Sequence, residues 1–214
     1  MTTNKKPVIM VSSTVYGIEE LLDRIYTLLT GFHYEVWMSH KGTMPVFSKL
    51  SSFENCIKAV EHCDLFLGLI TTYYGSGKEE GNISICHQEL RKAIELKKPR
   101  WLLSHDHVVF ADSLLRNLKY QKSGRTVTVP LAVRKTAVID DLRVIDMYRE
   151  AILSEKPLRN RQGNWVQKFQ SDEDALLFAT AQFSRYQEVE EFICENLSDI
   201  AGVQASISRG GDRL

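Results

Sequence analysis

The chain has 214 residues, 43% of them hydrophobic and 25% charged, with 27 basic against 27 acidic residues and a formal net charge of zero. That length fits one domain with a substantial core. The charge balance removes the strong non-specific attraction that nucleic acid or an anionic membrane surface would require. No apolar run approaches the ~20 residues needed to span a bilayer. No leader with a charged start, an apolar run and a small-residue cleavage site is present. The four cysteines (Cys56, Cys63, Cys86 and Cys194) show no CxxC spacing and no zinc-ligand clustering with histidine. The expectation is a cytoplasmic protein with reduced thiols, no membrane partner, no specific nucleic-acid binding and no metal.

Met1 to Lys6 is polar and reads as a frayed end. Pro7 to Ser12 (PVIMVS) is a β-branched apolar run, the mark of a strand buried on both faces. Ser12, Ser13 and Thr14 end it, and their hydroxyls suit either capping of the next helix or a ligand at the strand end. From Gly17 to Thr30, Ile18, Leu21, Leu22, Ile25, Leu28 and Leu29 recur at helical spacing. Tyr34 to Met38 reads as the second strand and Ser39 to Ser48 as a loop. Ser52 to His62 reads as the second helix and Asp64 to Ile70 as the third strand.

The loop from Thr71 to Asn82 contains Gly75, Gly77 and Gly81, and a helix follows from about Ser84 to Lys97. Arg100 to Ser104 is the fourth strand. Alternating strands and helices with short crossovers predict a parallel sheet covered on both faces. Beyond Ser104 the pattern loosens. Val108 to Leu118 and Asp140 to Leu153 read as helices, Thr126 to Val133 as a short strand, and Pro157 to Gly163 as a basic turn region. Asn164 to Phe169 reads as the fifth strand. Ser171 with Asp174 is an N-terminal capping signature. A last helix then runs to about Leu197, with Leu176, Ala179, Phe183, Tyr186, Val189, Ile193 and Leu197 as its stripe. Residues 1–197 form one domain, with 105–163 inserted before its last strand and 198–214 a mobile tail.

Glu89 is the first candidate for chemistry. It lies just over one turn inside its helix, three residues from Cys86 and beside an apolar stripe of Leu90, Ala93 and Ile94. Burial raises such a carboxyl's pKa and a helix N-terminus lowers it. The plain alternative is a glutamate that complements the helix dipole on a solvated face. Ser12, Ser13 and Thr14 are candidates for holding a ribose hydroxyl or phosphate. No GxGxxG or P-loop pattern is present. Tyr73, Tyr74 and Gly75 suit stacking on a base, or simple loop packing. Cys86 reads as a small buried helix residue, since no base partners it. His87, His105 and His107 read as solvated loop residues.

Three segments together, PVIMVSST, CDLFLGLITTYYG and ISICHQELRKAIELKKP, resemble an uncharacterised TIR-like family, domain of unknown function 4062. That family is related to TIR and nucleoside deoxyribosyltransferase-like domains. The resemblance covers Pro7 to Ser104 and extends more weakly to Leu197. Ser84, Cys86, Glu89 and Leu90 match the Ser-x-Cys-x-x-Glu-Leu pattern of TIR domains. In TIR domains that cleave NAD, the glutamate of this helix is catalytic, which carries over to Glu89.

The resemblance implies a three-layer flavodoxin-like α/β sheet in the order 2-1-3-4-5. Glu89 would face a crevice near Ser12, Ser13 and Thr14, with Tyr74, Gly75, Ser84 and Cys86 as further ligand-binding residues. It also implies cleavage of the N-glycosidic bond of NAD or a related nucleotide, with no cofactor. The setting it implies is bacterial-type defence or stress signalling, with a nucleotide ligand and a homo-oligomer as partners. The Ser39–Ser48 loop departs from the TIR loop that gates the site and assembles oligomers, and TIR domains lack the 105–163 insertion. Two alternatives stand beside the enzyme: a non-catalytic sensor or protein-interaction domain, and a nucleoside deoxyribosyltransferase-like enzyme.

Overall fold

In the computed structural model the described residues are 6–75, 78–79, 83–117 and 138–186. Five parallel strands form the central sheet: β1 (Val8–Ser13), β2 (Glu35–Trp37), β3 (Leu65–Ile70), β4 (Arg100–His105) and β5 (Val166–Phe169). Their order is 2-1-3-4-5, and every pairing is parallel. The expected flavodoxin-like three-layer α/β arrangement is therefore present. A two-residue antiparallel bridge, Lys78–Glu79 with Ile83–Ser84, lies in the loop after β3.

Helix α1 (Glu19–Gly31) and helix α6 (Asp172–Phe183) cover one face. The other carries α2 (Ser52–His62), α3 (Ile85–Glu95), α4 (Asp106–Asn117) and α5 (Arg143–Ala151). Side-chain alternation divides the strands between the two cores. Val8 and Met10 of β1 face α2 and α3, whereas Ile9 and Val11 face α1. Gly68 of β3 is required by packing, because a Cβ there would lie 2.8 Å from Leu102 Cδ2 and 3.0 Å from Phe66 Cε1.

Local signals account for the helix ends. Ser51 and Glu54 form a capping box at α2, and Ser171 and Asp174 form one at α6, as the sequence predicts for the latter. Ser84 caps α3 by accepting from the His87 backbone N–H at 3.4 Å. The hydroxyl run 12–14 does not cap α1, contrary to one of its two expected uses. That helix begins at Glu19, with Ile18 at its N-cap and no side-chain cap bond. The expected strand 126–133, the last helix beyond residue 186, the frayed first residues and the 198–214 tail lie outside the described residues, apart from Lys6.

Candidate functional site

The order 2-1-3-4-5 reverses direction between β1 and β3, and a crevice opens beyond the carboxyl ends of strands at such a point. Ser12 and Ser13 end β1 there, in register with Gly68 and Leu69 of β3. The two loops leaving these strands are joined, since the Thr14 hydroxyl donates to the Tyr73 carbonyl at 2.9 Å. Gly75, at φ +93, turns the chain so closely that a Cβ would lie 3.5 Å from Thr14 Oγ1 and 3.8 Å from Ser84 Cβ. That approach brings the start of α3 over the end of β1.

Glu89 points inward. It is 4% exposed, and its carboxylate accepts a very short hydrogen bond from the Ser12 hydroxyl. Burial pushes its pKa up to about 7, against the opposing pull of hydrogen bonds from Ser12 and from Cys56 of α2. The solvated-face alternative for Glu89 is thus excluded: the group is an internal carboxyl, poised between its two protonation states near neutrality.

Two thiols flank it. Cys86 is within hydrogen-bonding reach of Ser12 and Thr14, and burial followed by the neighbouring Glu89 raises its pKa. Cys56 is pushed up to about 12, by burial first and then by Glu89. Both are therefore neutral thiols at physiological pH, and neither has the character of a nucleophile.

The remaining candidates separate. Ser12, Thr14, Gly75, Ser84, Cys86 and Glu89 come together at the β1–α3 junction. The Ser13 hydroxyl is turned to its own chain, donating to the Thr14 carbonyl at 3.1 Å. Tyr74 is 2% exposed, with its hydroxyl 2.8 Å from His87 Nδ1. The Arg143 guanidinium lies over its ring at 4.8 Å. Its ring is therefore a core group in this structure and presents no face at the rim.

The exposed aromatic at the rim is Tyr16, which the sequence reading did not single out. It packs edge-on against Tyr73, with ring centroids 4.9 Å apart. Cys56 was also missed as a neighbour of Glu89, because its helical spacing shows only that it faces the core. His87 corrects another expectation. It is 2% exposed, not solvated, since the third residue of α3 faces α5 and the loop after β3. His105 ends β4 half-buried beside exposed His107, whose backbone N–H donates to His105 Nδ1 at 3.2 Å. Among the described residues no group of three or more His, Cys, Asp or Glu side chains is placed to hold a metal ion. No helix among them is long and apolar enough to cross a membrane.

The family model named Domain of unknown function (DUF4062) matches residues 8–193. The chain belongs to the DUF4062 family. The DUF4062 match runs from the first residue of β1 past the end of α6, so the long excursion between β4 and β5 lies inside the family's domain. No curated protein and no solved structure matches the chain.

Proposed function

We propose that this DUF4062 domain binds a nucleotide and hydrolyses its N-glycosidic bond, with NAD or a close relative as substrate and Glu89 as the reactive carboxylate. The observation that carries this reading is the buried Glu89 carboxyl, held by Ser12 at the switch point with its pKa near 7. Perturbed carboxyls at such positions mark functional sites more often than chance. The match of Ser84, Cys86, Glu89 and Leu90 to the TIR pattern supports the same role for this residue.

In the reaction the bond between ribose C1 and the nicotinamide nitrogen breaks. The departing base keeps the electron pair and loses its positive charge, and the ribose becomes oxocarbenium-like. An ionised Glu89 beside it stabilises that charge, and a low-dielectric surrounding strengthens the effect. Water then adds at C1 and gives up a proton, which Glu89 can accept because its pKa lies close to ambient pH. Ser12 and Thr14 supply hydroxyls for the ribose, and Tyr16 with Tyr73 supplies an aromatic edge for a base. In this reading the domain serves bacterial-type defence or stress signalling in the cytoplasm, and self-association accompanies activity.

The test is nicotinamide release from NAD by the purified protein over a range of concentrations, beside Glu89→Gln. Release by the wild type and loss in the variant support the reading. No release at any concentration, or equal release from both, ends it. Release of free base from a deoxynucleoside would instead favour a deoxyribosyltransferase-like reaction.

One observation favours a second reading. Glu89 already has internal partners in Ser12 and Cys56, as a structural carboxyl would. A non-catalytic sensor or interaction module predicts thermal stabilisation by a nucleotide or partner without turnover.

A further inference from the structure

We propose that His87 is a positioning residue for Glu89, and that α5, within the long excursion between β4 and β5, is thereby a working part of the site. The proposal rests on the reading of Glu89 as the reactive carboxylate.

His87 and Glu89 are two residues apart on α3. At ~100° per residue they project about 200° apart around the axis, on nearly opposite sides of one turn. Glu89 reaches down to Ser12 on β1. His87 reaches the other way, into a buried polar chain. Its Nδ1 lies 2.8 Å from the Tyr74 hydroxyl in the loop after β3. Its Nε2 lies 3.1 Å from Glu150 Oε2 on α5, a close approach that is not an aligned hydrogen bond. A carboxylate offers no donor, so the ring presents N–H to Glu150 and accepts from the Tyr74 hydroxyl through Nδ1.

Each outer member is held in turn. Arg91, one helical turn beyond His87, donates to both Glu150 oxygens at 2.7 Å. Tyr74 is fixed by the Asp140 carboxylate, which accepts from its backbone N–H at 2.8 Å, and by Arg143 over its ring. The Asp140 backbone N–H closes the circuit by donating to the Thr72 carbonyl at 3.2 Å. A single anchor leaves a helix free to roll about it. Anchors on opposite sides of one turn fix the roll, and with it the direction in which Glu89 points. The hydrogen bonds here are those of His87 Nδ1 with Tyr74 and of Arg91 with Glu150, and the His87 Nε2–Glu150 approach sits between them.

The test reads Glu89 directly in the full chain. The carboxyl ¹³C titration of Glu89 is assigned from the signal missing in Glu89→Gln and then followed in Tyr74→Phe, Glu150→Gln and His87→Leu. Loosening the grip admits water beside the carboxyl, so its midpoint falls by about one pH unit in His87→Leu and by less in each single-arm variant. Nicotinamide release then drops about tenfold in kcat, with KM within about threefold, as loss of a transition-state arrangement requires.

If His87→Leu does not fold, the two single-arm variants decide. An unchanged Glu89 midpoint in folded Tyr74→Phe and Glu150→Gln overturns the proposal. A wild type that releases no nicotinamide, while the Glu89 midpoint moves in the variants, overturns the glycohydrolase reading and upholds the positioning of Glu89 by His87.

Discussion

The two faces of the sheet are built from opposite materials. On the α1/α6 face the buried side chains are apolar, from Ile9, Leu21 and Ile25 to Leu103, Phe178 and Phe183. Tyr34 is the exception in chemistry, its hydroxyl donating to the Phe183 carbonyl at 3.1 Å. The α2–α5 face has an apolar core too, but it also holds Asn55, His87, Glu89, Asp112 and Asp146 on its helices and Ser84 at the cap of α3. Ser12 and Ser104 lie at strand positions facing it. Burying polar groups costs free energy unless they are paired, and burying charge costs more. The carboxyls, imidazole and thiols are thus concentrated on one face, where their burial lowers stability relative to a hydrocarbon core.

This contrast can be broken or sharpened by experiment. Phe183 packs against Trp101, with centroids 4.9 Å apart, and against Tyr34 at 5.9 Å. Phe183→Ala is expected to destabilise by about 3–5 kcal/mol in urea denaturation, equally at pH 5 and pH 8. A loss that depends on pH would show that the apolar face is coupled to the polar one.

The polar face should behave in the reverse way. Glu89 titrates above its unfolded value of 4.5, so the unfolded chain ionises first as pH rises. Its contribution to stability is unaffected below about pH 4.5, declines between there and about 7, and is level above. Glu89→Gln removes this decline. The stability of the variant relative to wild type should rise by up to about 3 kcal/mol from pH 4 to pH 8, at ~1.4 kcal/mol per pH unit. A flat difference would mean that the carboxyl is solvated.

In turnover, Glu89→Gln is expected to lower nicotinamide release by about 100-fold or more, the scale of losing one charge-stabilising group. Its far-ultraviolet circular dichroism should match wild type. The smallest expected effect lies away from both cores. Ser51→Ala removes one half of the capping box on α2 and should cost about 1 kcal/mol without altering the Glu89 titration. A shift in that titration would extend the site to the start of α2.

Much of the fold was legible because it repeats local patterns. The run PVIMVS, the alternation of strand and helix through Arg100, the α2 limits and the Ser171–Asp174 box all depend on near neighbours, and each appears where expected. The site was legible in part. Glu89 and Cys86 share a helix face by spacing, and the structure adds Ser12 beneath them. His87 was misjudged, because a histidine just after a glycine loop resembles a surface residue in sequence, and Tyr74 takes the packing use of its two expected ones. Their burial comes from α5, more than fifty residues further along the chain.

Composition and periodicity by themselves determined a parallel α/β sheet, and the resemblance to TIR domains singled out Glu89 among its carboxyls. The sheet follows from hydrophobic period and strand–helix alternation, which are local. The tertiary structure alone decided that Glu89 is internal, that its titration lies near neutrality, and that Ser12, Cys56 and Cys86 surround it. It also decided that His87 ties its helix to Tyr74 and Glu150. Those outcomes depend on which distant segments displace water from a group, and no window of neighbouring residues contains that information.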